Sequence, residues 1–435
     1  MEKLEKFFRL KEHNTDVKTE VLAGVTTFMT MAYILIVNPL MLSEAGMDFG
    51  GVFTATALSA VIATALMAFL ANYPFGLAPG MGLNAFFAYS VVLGMGKSWQ
   101  FALTAVLIEG LIFIGLSAFK VRESIFEAIP KNLKLAVSVG IGLFIAFLGL
   151  TNAGVIVPGS GTIVELGNLK SGAPLLAVIG VLITGVLVAR KVKGGLLIGI
   201  ILTTVIGIPL GVTILPESLN IVSMPPSMSE TAFQFVGFDQ IFTMEMLLVV
   251  ITFLFVDIFD TVGTLAGVAA KAGYLDEEGN LPKVGSALMA DAIGTTIGAC
   301  LGTSTVTTFV ESASGVAEGG RTGLTSLSTA FMFFIALFFA PLFTMIPSAA
   351  TAPALVIVGL FMMGSVTEMN FEDYTESIPA FLTIIMMPFS YSIAEGIVFG
   401  MIGYVVVKTL AGKHKDVSLI MWILSIVFVA RIIFT

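Results

Sequence analysis

The sequence is short of charge. Of its 435 residues, 11% are Asp, Glu, Lys or Arg, against about 25% in an ordinary soluble domain. So few charges cannot face water around a chain of this length, which excludes a soluble enzyme, a nucleic-acid-binding module and a disordered chain. Cysteine occurs once, as Cys300 in an apolar stretch, so no disulfide can form within the chain. Histidine occurs twice, as His13 and His414, both in charged flanks. The clusters of His and Cys that hold metals are therefore missing, and neither a metal nor another cofactor is expected. There is no HExxH. Gly96-Lys97-Ser98 ends like a P-loop but has Val91 where that motif needs glycine. An ATP-driven pump is unsupported, which leaves solute or ion gradients as the source of energy.

What is present is apolar: 57% of the residues, with a mean hydropathy of +1.02. At about 30 residues for each span and its connection, the chain is an all-α polytopic membrane protein of about fourteen spans. Apolar runs fall near 22–42, 51–71, 78–96, 100–119, 133–151, 173–189 and 195–213, and again near 244–266, 284–301, 304–319, 322–345, 350–366, 377–391 and 393–410. A further run, 417–434, is either an added crossing or a helix along the surface. With the N-terminus in the cytoplasm, eighteen of the 21 Lys and Arg fall on the cytoplasmic side, and the 214–240 loop, which has none, falls outside. Residues 1–16, with Leu4, Phe7, Phe8 and Leu10 on one side, read as an interfacial helix and not a cleavable signal peptide.

The chain repeats itself. Residues 56–86 resemble 286–316, and 127–149 resemble 344–364, each pair about half the chain apart. A unit of seven spans is odd, so the second copy sits inverted in the bilayer. Inverted repeats typify secondary transporters, whose sites lie near the midplane where the repeats meet. Runs three and ten fill matching places and are poor helices. One carries Pro74, Gly76, Pro79, Gly80 and Gly82, and the other is rich in hydroxyls. Broken backbone at membrane depth survives only where it is buried or lines a cavity.

Acids lie in the same region. Asp257 and Asp260, three apart in run eight, share a helix face. An aspartate at the membrane centre costs roughly 2.5–3.5 kcal/mol, so a pair on one span, with Glu311 in run ten, reads as a substrate and proton site. Asn84, at the break in run three, both donates and accepts, or caps a half-helix. Glu109 and Asp291 read as structural acids, and Glu318 and Arg321 as water-facing. Phe86 and Phe309 have flat faces for a ring and Thr308 adds a hydroxyl, although with 36 Phe in the chain core packing is the commoner role for any one.

GMGLNAFFAY (80–89), FVDIFDTVGTL (255–265) and GTSTVTTFVESASGVAEGGRTGL (302–324) resemble the AzgA-type purine permeases of the nucleobase–cation symporter-2 superfamily. The resemblance covers nearly the whole chain. It implies a UraA-like fold of two inverted seven-span repeats, with short strands in spans three and ten. It also implies a core domain (17–120 and 240–345) and a gate domain (121–239 and 346–435). Family substrates are hypoxanthine, guanine and adenine, imported with protons. By motif position the resemblance assigns substrate contacts to Asn84, Asp257 and Glu311, and proton coupling to Asp260. The implied partners are a purine nucleobase, a proton (or sodium) and the lipid bilayer of the plasma membrane, without nucleic acid; monomer and homodimer both stay open. Two alternatives stand beside this reading. One is a carrier of anions or other small solutes on the same fold. The other is an intramembrane enzyme using Asp257 and Asp260 as a catalytic pair.

Overall fold

A computed structural model describes residues 2–118, 130–159, 161–170, 172–215, 221–274 and 281–434. The expected domain boundary at 120/121, Lys120, Arg122, residues 127–129 of the second repeat pair and part of the 214–240 loop lie outside the described residues. The chain is a helical membrane protein. Among the described residues, nine helices are long and apolar enough to cross a bilayer, and shorter apolar helices join them.

Helix α1 (Glu2–Phe7) is shorter than the amphipathic pattern suggested. Phe8 and Leu10, beyond its end, pack against Ala68 and Leu324, while Phe7 stays exposed. Run one is two helices, α2 (Val17–Met31) and α3 (Ile34–Glu44), which meet in a turn at Ala32–Tyr33. Asp16 starts α2 by accepting from the Thr19 N–H at 3.0 Å. Helix α4 (Phe49–Leu66) follows.

Run three does not form a continuous span. It opens with strand β1 (Leu77–Pro79), turns one helical stretch in α5 (Met81–Ala85), and continues as a π-helix over Phe86–Gly94. Then come α6 (Trp99–Ala118), α7 (Lys131–Asn152), a surface ribbon of β2 (Ile156–Pro158) and β3 (Val164–Leu166), α8 (Gly172–Ala189) and α9 (Gly195–Gly207). The second half holds α10 (Phe238–Ile241), α11 (Met244–Ala272), α12 (Val284–Leu301), β4 (Val306–Thr308), α13 (Ser312–Ala317), α14 (Gly323–Ala336) and α15 (Ala340–Phe343). It ends with α16 (Ser348–Met363), α17 (Tyr374–Phe389), α18 (Ile393–Leu410) and α19 (Leu419–Phe434). Helix α19, whose role the sequence left open, packs on α18. It buries Met421 and Phe428 and leaves Ile423, Ile426 and Ile432 exposed.

Packing is concentrated in two sets. Helices α2–α6 pack with α11–α14, and α7–α9 pack with α16 and α17, which in turn carries α18. Small residues allow the close crossings. A Cβ on Gly142 of α7 would sit 2.6 Å from the Gly359 carbonyl of α16, so no side chain fits there. A buried glutamate fixes the start of α14: Glu20 accepts from the N–H groups of Arg321, Thr322 and Thr325 at 2.9–3.2 Å. It thereby satisfies donors that a helix N-terminus leaves unpaired.

Strands β1 and β4 pair antiparallel, with Leu77 opposite Thr308, Ala78 opposite Thr307 and Pro79 opposite Val306. Short strands in runs three and ten therefore meet at the centre of the first set. Each is fastened by a threonine of the preceding helix. Thr64 bonds both the N–H and the carbonyl of Leu77 at 2.9 and 3.0 Å. Thr295 bonds both groups of Val306 at 3.2 and 2.9 Å. The two threonines occupy matching places in the repeated stretches, so the internal repeat is visible at the level of single hydrogen bonds.

Candidate functional site

The site is built on the crossed strands. Two further backbone bonds extend the crossing, Gly80 N–H to the Thr305 carbonyl at 3.0 Å and Phe309 N–H to the Gly76 carbonyl at 2.9 Å, and the Gly76 N–H donates to the Ser312 side-chain Oγ at 2.9 Å. Glycine is required at position 80. A Cβ there would lie 2.5 Å from Thr307 Cγ2 and 3.1 Å from Asp260 Oδ2. The bare backbone lets the Asp260 carboxyl come up to the crossing, where Thr307 Oγ1 donates to Oδ2 at 3.3 Å.

Glu311 follows β4 directly. Its Oε1 accepts from the Tyr33 hydroxyl at 2.8 Å, and both side chains are buried. Tyr33 sits at the break between α2 and α3, and its ring lies 6.4 Å from that of Phe309. Asp257 and Glu311 are both within electrostatic reach of Asp260. Thr308 Oγ1, between them in the chain, is buried and makes no hydrogen bond with the described residues. In a bilayer interior such a hydroxyl is costly unless something arrives to pair with it.

The structure brings Asp260, Phe309 and Glu311 to one place, with Thr308 on β4 between Thr307 and Phe309 and the other three candidates around them. Asn84 braces the crossing. Its Oδ1 accepts from the Ser304 hydroxyl, and its Nδ2 reaches the Pro79 carbonyl at 3.4 Å. Asp257 accepts from Thr261 Oγ1 at 2.8 Å, and that oxygen also lies 3.2 Å from Asp291 Oδ1 on α12. Phe86 packs edge-on against Phe253 at 4.7 Å and lines a cavity beyond the crossing. Glu109 accepts from Thr305 Oγ1 at 2.7 Å, linking α6 to the same strand region. Glu318 forms an ion pair with Lys193 at 2.5 Å, bridging the end of α13 to the α8–α9 connection.

Sequence reading missed Tyr33 and Thr307. Tyr33 left one signal: it is a hydroxyl-bearing ring among strongly apolar neighbours in run one. Thr307 left none, since it is one hydroxyl among many in its segment. Chemically the arrangement offers acceptor carboxyls, a free hydroxyl and flat aromatic faces. Residues 77–84, 253–261 and 304–312 bring it no Lys or Arg. That suits an uncharged, planar ligand edged with N–H donors better than an anion.

The Permease family model (Xan_ur_permease) matches residues 18–399. The guanine/hypoxanthine permease PbuG of Bacillus subtilis is 47% identical over 438 residues, covering 98% of this chain and 99% of its own. The adenine permease AdeP of Escherichia coli is 43% identical over 431 residues, covering 99% and 96%. Among solved structures, the transmembrane domain of the cyanobacterial bicarbonate transporter BicA superposes with a TM-score of 0.66 at 19% identity, covering 88% of this chain and 96% of that one. At that identity the likeness establishes the fold alone, and it agrees with the transporter fold of paired broken segments expected from the repeats.

Proposed function

Because the chain belongs to the Permease family, a family of transporters and not enzymes, we propose that it is a secondary transporter importing purine nucleobases by proton symport. The observation that carries the reading is the crossing of β1 and β4, with Asp260 and Glu311 against it and an unpaired, buried Thr308 hydroxyl on β4 itself. Relatives named for guanine, hypoxanthine and adenine support the substrate class. A purine is flat and uncharged. Its N–H edges are donors for Glu311 and Asp257, and its ring nitrogens accept from Thr308 or Asn84. Burial makes unmatched edges expensive, which turns hydrogen-bond complementarity into selectivity. The absence of a cation from these segments weighs against an anion carrier on the same fold.

In this reading the set α2–α6 with α11–α14 carries the substrate (17–120 and 240–345), and the other set (121–239 and 346–435) is the gate. Alternating access moves one against the other. The ties between them include polar ones that can break and reform, such as Lys193 to Glu318 and Asn152 to Tyr89, beside apolar contacts such as Ile141 on Gly82. The N-terminus faces the cytoplasm across the plasma membrane, an orientation that the distribution of Lys and Arg supports. Asp260 is the coupling group. It shares a helix face with Asp257, and a proton carried with a neutral purine gains about 2.3 kcal/mol per 100 mV of membrane potential.

The test is uptake of labelled hypoxanthine, guanine and adenine into proteoliposomes under an inward proton gradient, with and without an uncoupler. Accumulation of unmodified base that collapses with the uncoupler is expected. Asp260→Asn is expected to keep binding and lose accumulation against a gradient. Failure of the wild-type protein to move any purine overturns the substrate, and uncoupler-resistant accumulation overturns proton symport.

A further inference from the structure

A cavity of about 550 Å³ lies away from the strand crossing, between the π-helical stretch Phe86–Gly94, helix α11 and the α17–α18 connection. It spans the seam between the two helical sets, on the side that the asymmetry of Lys and Arg assigns to the exterior. We propose that this cavity is a second, outer binding site for the nucleobase, occupied before the ligand reaches the crossed strands; the inference rests on the function proposed above.

Four independent features converge there. The first is size: the volume falls within the range of small-molecule sites. The second is an orphan hydroxyl. Ser90 lines the cavity, is 5% exposed, and its Oγ has no hydrogen-bond partner among the described residues. A ligand edge would pair it. The third is the wall itself. Nine consecutive residues, Phe86–Gly94, are π-helical, a rare form found mostly at functional sites. The fourth is the aromatic ring of Tyr391 on the opposite wall, set in place by the helix end it closes. The Tyr391 N–H bonds the Pro388 carbonyl and the Ser392 N–H bonds the Met387 carbonyl, with Tyr391 at the left-handed φ of +55° usual for that position.

The lining defines the ligand. The rings of Tyr89 and Tyr391 stand 6.1 Å apart at 88°, so between them one can present a face and the other an edge. Tyr89 is held rigidly, because its hydroxyl donates to Glu44 at 2.9 Å and accepts from Asn152 at 2.8 Å. Tyr391 is braced edge-on by Phe144 at 5.6 Å. Thr252 donates to the Leu248 carbonyl at 2.8 Å, which leaves its oxygen lone pairs as acceptors towards the cavity. Glu395 supplies the one charge in the described lining, and no basic residue joins it. Aromatic walls, hydroxyls and a single acid fit a flat, neutral heteroaromatic base with N–H donors. They repel anions such as bicarbonate.

The experiment places a thiol in the cavity by Ser90→Cys in a Cys300→Ser background, with Thr252→Cys as the alternative should the first not fold. Intact cells are treated with a membrane-impermeant thiol reagent. Labelling from outside is expected, slowed at least threefold by saturating hypoxanthine and unaffected by bicarbonate. The same protection is expected when Glu311→Gln disables the inner site. Protection that vanishes with Glu311→Gln comes from the inner site and overturns the proposal. So does reaction with a lipid-soluble reagent only, which would make the cavity a lipid-facing groove. Wild-type purine uptake in the same cells is read separately, so loss of the transport reading and loss of the outer site are distinguishable.

Discussion

Removal of the Tyr33 hydroxyl is a sharp test of the inner site. Tyr33→Phe keeps the ring against Phe309 and deletes one bond, the 2.8 Å donation to Glu311 Oε1. Both groups are buried, at 1% and 9% exposure, so water cannot readily replace the lost donor. A hydrogen bond to a charged group is worth about 1.5–3 kcal/mol. Each 1.4 kcal/mol is tenfold in affinity, so if most of that energy serves to aim Glu311 at the purine, hypoxanthine binding should weaken about tenfold. A double-mutant cycle isolates the effect. In a Glu311→Ala background the tyrosine has nothing to aim, and Tyr33→Phe should cost under about 0.5 kcal/mol there. The assay is radioligand binding to purified protein in nanodiscs, with thermal melts to exclude general destabilisation. Unchanged affinity in Tyr33→Phe, or an equal loss in both backgrounds, refutes the idea that Tyr33 works through Glu311.

Two further predictions concern the framework. Gly80→Ala should abolish uptake while the protein still reaches the membrane, because its Cβ would press on Thr307 and on the Asp260 carboxyl at 3.1 Å; normal uptake would mean that the carboxyl does not need this approach. At the start of α17, Asp373 takes the Lys413 ammonium at 2.8 Å and the Thr375 N–H at 2.8 Å. Lys413, then the Thr375 hydroxyl and N–H, hold its carboxyl well below the usual carboxylate range. With the folded-state value depressed, the stabilisation is present above the unfolded value of about 3.9 and fades as pH falls towards the folded one. Asp373→Asn should therefore melt earlier than wild type at pH 7, with the gap shrinking below about pH 4; a gap independent of pH would refute it.

Hydropathy and the placement of Lys and Arg alone made this a polytopic membrane chain, because bilayer insertion depends on summed local composition. The glycines and prolines of residues 74–82 and the hydroxyls of 302–314 were enough to mark runs three and ten as broken, since a helix cannot tolerate them at low cost. The acids stood out for a similar reason: a carboxyl in an apolar run is expensive wherever it finally points. What no local pattern contained was the pairing. The register of Leu77 on Thr308 joins segments more than 200 residues apart, and only the packed helices bring them together. The same holds for Tyr33, whose partner Glu311 is remote in the chain, and for Asn84, whose Oδ1 accepts from the Ser304 hydroxyl of the other half. The cavity at Ser90 belongs to three segments from both halves of the chain. Composition and periodicity report the cost of placing each residue in a membrane; which buried group meets which is decided by tertiary packing, where every polar atom must find its partner or leave room for a ligand to supply one.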